Sequence, residues 1–234
     1  MDRAIYVALS GVMMQERRLD VTTYNIANAD TTGFKRESPL FATILSDMVR
    51  TYPVESGVDI DLSQGAFRNS GNPLDVAIQG KGFFVVKTPW GERYTRQGSF
   101  TLDPDGTLVT QDGYPVLGEQ GEIRVLGPSV TIDEDGYVAS DRALFGRLKV
   151  VSFADGADVR REGSFFRVDD ADVVDGVLGA GVRVLQGYVE SSNVNPVREM
   201  ATMIEVMRRY ETQTKMIQTL DEMTKKAIKD VAGF

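Results

Sequence analysis

Apolar residues Ile5, Val12, Leu19 and Ile26 recur every seven positions, with Ala8 and Leu9 beside the same stripe. That spacing returns to one face of a 3.6-residue helix, and no proline interrupts it before Pro39. It predicts a helix over residues 4–28, about 38 Å long. Met13 and Met14 beside Val12 widen the apolar surface beyond what a helix lying on one core requires. At the other end of the chain Asn195 suits an N-cap and Pro196 a first helical position. Neither glycine nor further proline occurs from there to Val231. Steps of three and four pass through Met200, Met203, Met207, Tyr210, Thr214, Ile217, Asp221, Thr224, Ile228 and Val231. Seven of those ten are apolar, which predicts a coiled-coil-like seam with a weaker middle on a helix of about 54 Å. Glu205–Arg209, Glu211–Lys215, Asp221–Lys225 and Glu222–Lys226 place the acid four residues before the base, the favourable order on a helix surface.

The middle of the chain follows another rule. Short alternating or β-branched runs (LDVAI, FFVV, TLVT, SVTI, LKVVSF, VRVL) lie between tight turns, and Asp-Gly occurs at 105–106, 112–113, 135–136, 155–156 and 175–176. Twenty of the 23 glycines fall between Gly57 and Gly187. Strands punctuated in this way predict an all-β domain. Residues 37–70, around Pro39, Pro53 and Gly57, carry little pattern of their own and read as an extended connector. The fold expected is therefore α+β. An N-terminal assembly helix spans 1–30, a connector 31–70, an all-β central domain 71–190 and a C-terminal assembly helix 191–234.

The central domain can close its own core, so the end helices are expected to pair with each other outside it. Val7, Met13 and Met14 on one helix, and Ile204, Val206, Leu220 and Met223 on the other, lie off the pairing stripe. A two-helix pair would leave them wet, which makes neighbouring chains the expected cover. Methionine suits such a surface because it packs adaptably against non-identical partners.

Composition narrows the chemistry. The 234 residues include no cysteine and no histidine. That removes thiol nucleophiles, disulfides, Cys/His zinc sites and every triad with a histidine base. Net charge is −8, but residues 1–36 hold five basic against four acidic side chains and residues 196–234 seven against six. Residues 37–195 are left with 14 basic against 24 acidic, which argues against nucleic acid or an anionic membrane as the main partner. No segment approaches the apolar length of a membrane helix. Arg3 and AIYVAL faintly suggest a signal peptide, but the helical pattern continues past Glu16, Arg17 and Arg18 with no small-residue cleavage site. The segment reads as a mature N-terminus, and work outside the cytoplasm would need another export route.

Asp103-Pro-Asp105-Gly106 and Asp133-Glu-Asp135-Gly136 lack the glutamate that completes a calcium loop and read as hairpin turns. VDDADVVDG, residues 168–176, reads as a solvated acidic loop, and Gly80-Lys81-Gly82 lacks the rest of a phosphate-binding signature. Trp90, the only tryptophan, reads as a hairpin-tip residue rather than a ligand-stacking platform. Arg208 and Arg209 are offset by Glu205 and Glu211. An enzyme built without histidine or cysteine would need two carboxylates, as in a carboxylate-based glycosidase, and no acid stands in a recognisable motif for it. A tube or baseplate protein would also use bundled end helices.

The residues of the two ends carry a likeness. ALSGVMMQERRLDVTTYNIANADTTGFKRE resembles the N-terminal signature of bacterial flagellar rod and hook proteins, with its SG, D-V, N-x-A-N and T-x-G-F-K. SSNVNPVREMATMIEVMRRYETQTKMIQTLDEMTKKA is similar to the C-terminal signature of that family. SGNPLDVAIQGKGFFVV and YTRQGSFTLDPDGTLVTQDGYPVLG resemble its central domain. The opening MDRAIYVALSG and the short segment TYPVESGVDIDLSQG look most like the proximal rod members. The resemblance implies a structural subunit, not an enzyme, in the basal-body rod that crosses the periplasm as an axial drive shaft. It implies export through the flagellum-specific type III apparatus without a cleaved signal, and helical assembly with both terminal helices around the export channel. The implied partners are other copies of the chain, other axial proteins of the proximal and distal rod, and the export apparatus. No nucleic acid, membrane insertion, cofactor or metal is implied.

Together these readings give an expected assembly interface: Ile5, Leu9, Val12, Leu19, Asn25, Ile26, Asn28, Gly33, Phe34, Asn193, Asn195, Met200, Met203, Ile204, Met207, Tyr210, Ile217 and Leu220. Within it, Asn28 and Gly33 can end the first helix in a left-handed conformation, and Phe34 would anchor the connector. Asn25 and Asn28 are poor helix-interior residues, explained if their amides bond to neighbouring subunits. An ordinary C-cap and turn would explain the same residues.

Overall fold

The computed structural model describes residues 2–44, 52–127, 129–140, 143–176, 178–179 and 181–232, with side chains at 7–41, 57–127, 129–140, 143–176, 178–179, 181–226 and 229. The side chains of Ile5, Ile228 and Val231 lie outside the described residues. The fold is α+β: an N-terminal and a C-terminal helix touch each other, and a mainly-β region lies between them in the sequence. It divides into two compact units, each assembled from separated stretches of sequence.

The helical unit takes residues 1–29, 36–61 and 194–234. Helix α1 spans Asp2–Ala27 and helix α2 spans Pro196–Ala232. The cap read from the sequence forms: the Arg198 N–H donates to Asn195 Oδ1 at 3.1 Å, and the Glu205–Arg209 and Asp221–Lys225 pairs close. Gly11 lies against Gln213, whereas Thr22 and Asn25 share a small cavity with Glu199 and Thr202, so the two helices run antiparallel.

The packed face of α2 differs from the predicted seam. Glu199 and Val206 are buried and Met203, Gln213, Ile217, Leu220 and Thr224 half-buried, while Met200 and Met207 are exposed. Half of the seam therefore lies one residue earlier in the chain. Val206 and Met207 are both apolar neighbours, and steps of three and four fit either set. The shorter valine and the partnered Glu199 are what α1 packs against.

Residues 37–60, expected to be a connector, form a two-stranded ribbon. β1, Glu37–Ile44, pairs antiparallel with β2, Tyr52–Ile60, with a register shift between Leu40 and Phe41. Pro39 and Pro53 misled the reading. A two-stranded ribbon has an open edge on each strand, and proline is tolerated there because its missing N–H need pair with nothing.

The β unit takes residues 30–35 and 62–193. β3, Phe67–Asn69, pairs with Tyr188–Glu190, and β4, Val76–Gln79, pairs with Arg183–Gln186. β5, Phe83–Thr88, and β6, Gly91–Thr95, lie at the centre of a six-stranded sheet. Flanking β6 come Phe165–Arg167 and then Arg160–Glu162, and flanking β5 come Val150–Phe153 and then Val173–Val174. The continuous apolar run FFVV is buried throughout, as expected of a strand covered on both faces. Its core gathers Val76, Ile78, Phe84, Val86, Phe100, Leu108, Val138, Leu148 and Val184. The two aspartate-rich loops are matched Asx turns. Asp103 Oδ1 accepts from the N–H groups of Asp105 and Thr107, and Asp133 Oδ1 from those of Asp135 and Tyr137. These carboxylates hold the backbone of their own turns.

Candidate functional site

The surface that carries the expected assembly residues is built around two anchored segments, one in each unit. In the helical unit, Asn25 is almost fully buried near the end of α1. Its Nδ2 donates to the Glu37 carbonyl at 2.8 Å, and its Oδ1 accepts from the Glu37 N–H at 2.9 Å. This amide thus docks the first residue of β1 onto α1, and both its polar atoms are used inside the chain. The Asn28 Nδ2 turns back to the Tyr24 carbonyl at 2.9 Å. Each of these amides thus bonds a backbone group of its own chain, Asn25 across to β1 and Asn28 back along α1. Arg36 adds a second tie. Its Nε donates to the buried Glu199 at 2.6 Å and its Nη1 to Ser38 Oγ at 2.8 Å, joining β1 to the first turn of α2.

In the β unit, Gly33, Phe34 and Lys35 form a buried turn. Gly33 has φ +69°, and a Cβ there would stand 2.4 Å from the Gln97 nitrogen, so only glycine fits. Its N–H donates to the Glu190 carbonyl at 2.7 Å, and the Asn193 N–H donates to the Phe34 carbonyl at 3.4 Å. The turn thereby lies along the strand Tyr188–Glu190. The Arg161 guanidinium stacks over the Phe34 ring at 4.4 Å and donates to the Lys35 carbonyl at 2.6 Å. Phe34 anchors this turn within the β unit rather than a free connector.

The Lys35 side chain is 0% exposed, and its ammonium meets Glu190 Oε1 at 2.6 Å and the Ser63 carbonyl at 2.5 Å. Arg96 Nη1 stands 3.3 Å from Glu190 Oε2 and donates to the Ile78 carbonyl at 2.8 Å, while the Gly65 N–H donates to Glu190 Oε1 at 2.9 Å. Two buried cations thus share one buried carboxylate. Burial pushes the Arg96 guanidinium below its ordinary value, and Glu190 opposes that shift.

The remaining expected interface residues divide by exposure. Val12, Leu19, Ile26, Met203, Ile217 and Leu220 are half-buried within the helix pair. Leu9 and Tyr210 are exposed, as are Met200, Ile204 and Met207 at 51%, 52% and 45%. Val197, Met200, Ile204 and Met207 follow steps of three and four, so they form one open apolar stripe on α2. Asn193 donates from Nδ2 to the Ser63 carbonyl at 3.2 Å, and Asn195 is the exposed cap of α2. Leu9 and Met13, one helical turn apart, make a smaller apolar patch on α1.

Three segments of the chain match known protein families. Residues 5–35 match the flagella basal body rod protein family, residues 77–140 the flagellar hook protein FlgE/F/G D1 domain, and residues 185–230 the flagellar basal body rod FlgEFG protein C-terminal family. The flagellar basal-body rod protein FlgF of Caulobacter vibrioides is 38% identical over 97% of both chains. That of Escherichia coli is 38% identical over 95% of both, and the rod protein FlgG of Buchnera aphidicola subsp. Schizaphis graminum is 32% identical over 95% of this chain. The chain belongs to the flagellar basal-body rod protein family. It is FlgF-like, and the family is structural rather than enzymatic.

For a rod-family chain, the most informative residues are ones that sequence reasoning passed over. Lys35 stands inside the N-terminal family signature, whereas Glu190 falls just before the C-terminal one, and 155 positions separate them. Arg36 and Glu199 are 163 apart. The one local hint was a lysine directly after the buried-type residues Gly33 and Phe34. Among the described residues no helix is long and apolar enough to cross a membrane, and no group of three or more acidic side chains is placed to hold a metal ion.

Proposed function

We propose that the chain is a subunit of the proximal rod, assembling helically through both terminal helices with other copies of itself and with other axial proteins. The observation that carries this is the open stripe Val197, Met200, Ile204 and Met207 on α2, with Leu9 and Met13 on α1. An apolar stripe on an otherwise polar helix is stabilised by a covering partner, at roughly 25 cal/mol for each Å² removed from water. In this reading the helical units form the inner layer around the export channel, and the shaft they build transmits torque. Delivery runs through the flagellar type III apparatus without a cleaved signal. The FlgF relatives, matched over nearly their whole length, support the proximal position. The test is quantitative mass spectrometry of isolated hook–basal bodies. A few copies of the chain per basal body, far below the hook protein, is the expected result. Hook-like abundance would move the chain outward along the axis, and absence would remove it from the rod.

A further inference from the structure

We propose that the β domain binds a neutral glycan chain in the groove beside Trp90. The residue occupies the turn between β5 and β6, and that turn is built to hold it in place. The Trp90 N–H donates to Thr88 Oγ1 at 3.3 Å, and its carbonyl accepts from Arg93 Nη1 at 3.2 Å. The indole is nevertheless 71% exposed. It belongs to an aromatic series, with the Tyr114 ring centroid 6.5 Å away and Tyr114 in turn edge-on to the buried Phe165 at 5.5 Å. Nothing in the sequence foretells this, since the three residues come from three different turns and strands.

The charges around the groove decide the class of ligand. Arg93, Arg167, Asp112 and Glu162 line a volume of about 910 Å³, two charges of each sign, so the lining is neutral. Arg93 Nε donates to Glu162 at 2.7 Å and holds that carboxyl below its ordinary range, and Arg167 adds a longer bond of 3.4 Å. A polycation gains no net attraction from such a lining, and a polyanion would be repelled by the acidic middle of the chain. An extended peptide would want a strand edge to pair with. Among the described residues the sheet's edge strand beside the groove is Arg160–Glu162, three residues long and too short for that mode. A pyranose chain fits what is present. Its flat C–H face covers the indole and phenol rings, and its hydroxyls reach Asp112 and the donors that Arg167 does not spend on Glu162. The volume is within the range of small-ligand sites and exceeds a single sugar ring.

Trp90 is the only tryptophan in the chain, so indole emission reports this groove alone. The experiment titrates the full-length chain with N-acetylchitotetraose, a neutral β-1,4-linked tetramer, at two protein concentrations. A saturable emission change with a Kd on the order of 1 mM or below is expected. Asp112→Ala and Arg167→Ala, at exposed positions, should each weaken it about tenfold without altering the far-UV circular dichroism or the melting curve. A flat titration overturns the proposal, as does equal affinity in both variants. A change that follows protein concentration without sugar would assign the groove to a second copy, and a response to a proline-rich peptide alone would assign it to a polypeptide. Either outcome also overturns the glycan site.

Discussion

The β unit and the helical unit solve the same burial problem in opposite ways. In the β unit the large apolar side chains point inward from many short strands, and Phe84, Val86, Leu108 and Leu148 are fully covered by the chain itself. In the helical unit the most buried side chains of α1 are Gln15, Val21, Thr22 and Asn25, while Leu9, Met13, Met200, Ile204 and Met207 stand open. A helix pair that buries polar residues and leaves part of its apolar surface open is incomplete by itself. The difference separates apolar residues that this chain covers by itself from apolar residues that it leaves open.

Substitutions that strike one unit and spare the other test this division, and the largest effect is expected at Glu190. Replacing it with alanine leaves Lys35 and Arg96 buried with no counter-charge, a loss of about 3–5 kcal/mol. Chemical denaturation should show that loss in the transition of the β unit. A midpoint unchanged from the parent chain would mean the cluster relaxes to solvent and does not hold the turn. Asn25→Ala comes next. It removes both hydrogen bonds to Glu37 and strands that residue's N–H and carbonyl, which should cost about 1–3 kcal/mol. Amide exchange should speed up along β1 and leave the core strands of the β unit unaffected. The smallest effect on the isolated chain belongs to Met200→Ser with Met207→Ser. Both side chains are exposed, so stability should change by no more than about 0.5 kcal/mol, while incorporation into basal bodies should be lost. Normal incorporation of that double variant would mean the open stripe is not an assembly face.

Much of this division was legible before any coordinates. The spacing of Ile5, Val12, Leu19 and Ile26 placed α1, and Asn195-Pro196 placed the start of α2, because caps and helical periods are local properties. FFVV and the Asp-Gly turns placed the β unit for the same reason. The face of α2 was less legible, since Val206 and Met207 satisfy the same spacing and only a partner chooses between them. The anchors were not legible at all. Nothing near Lys35 says that its counter-charge is Glu190, and nothing near Asn25 says that its amide faces a strand that starts twelve residues further on. Pro39 and Pro53 were read as marks of irregular chain when they sit in a ribbon, a case where the rule depends on how many neighbours a strand has.

The Lys35–Glu190 pair also bears on the order in which the molecule comes together. Arg36 and Glu199 lie 163 residues apart in the chain. Once the β unit has folded and set Lys35 against Glu190, the free loop between them shrinks to about ten residues. Closing a loop costs entropy in proportion to the logarithm of its length, so this contraction lowers the penalty for the Arg36–Glu199 tie by about 2.5 kcal/mol. A β unit that folds first therefore turns the meeting of the two helices from a long-range search into a local one.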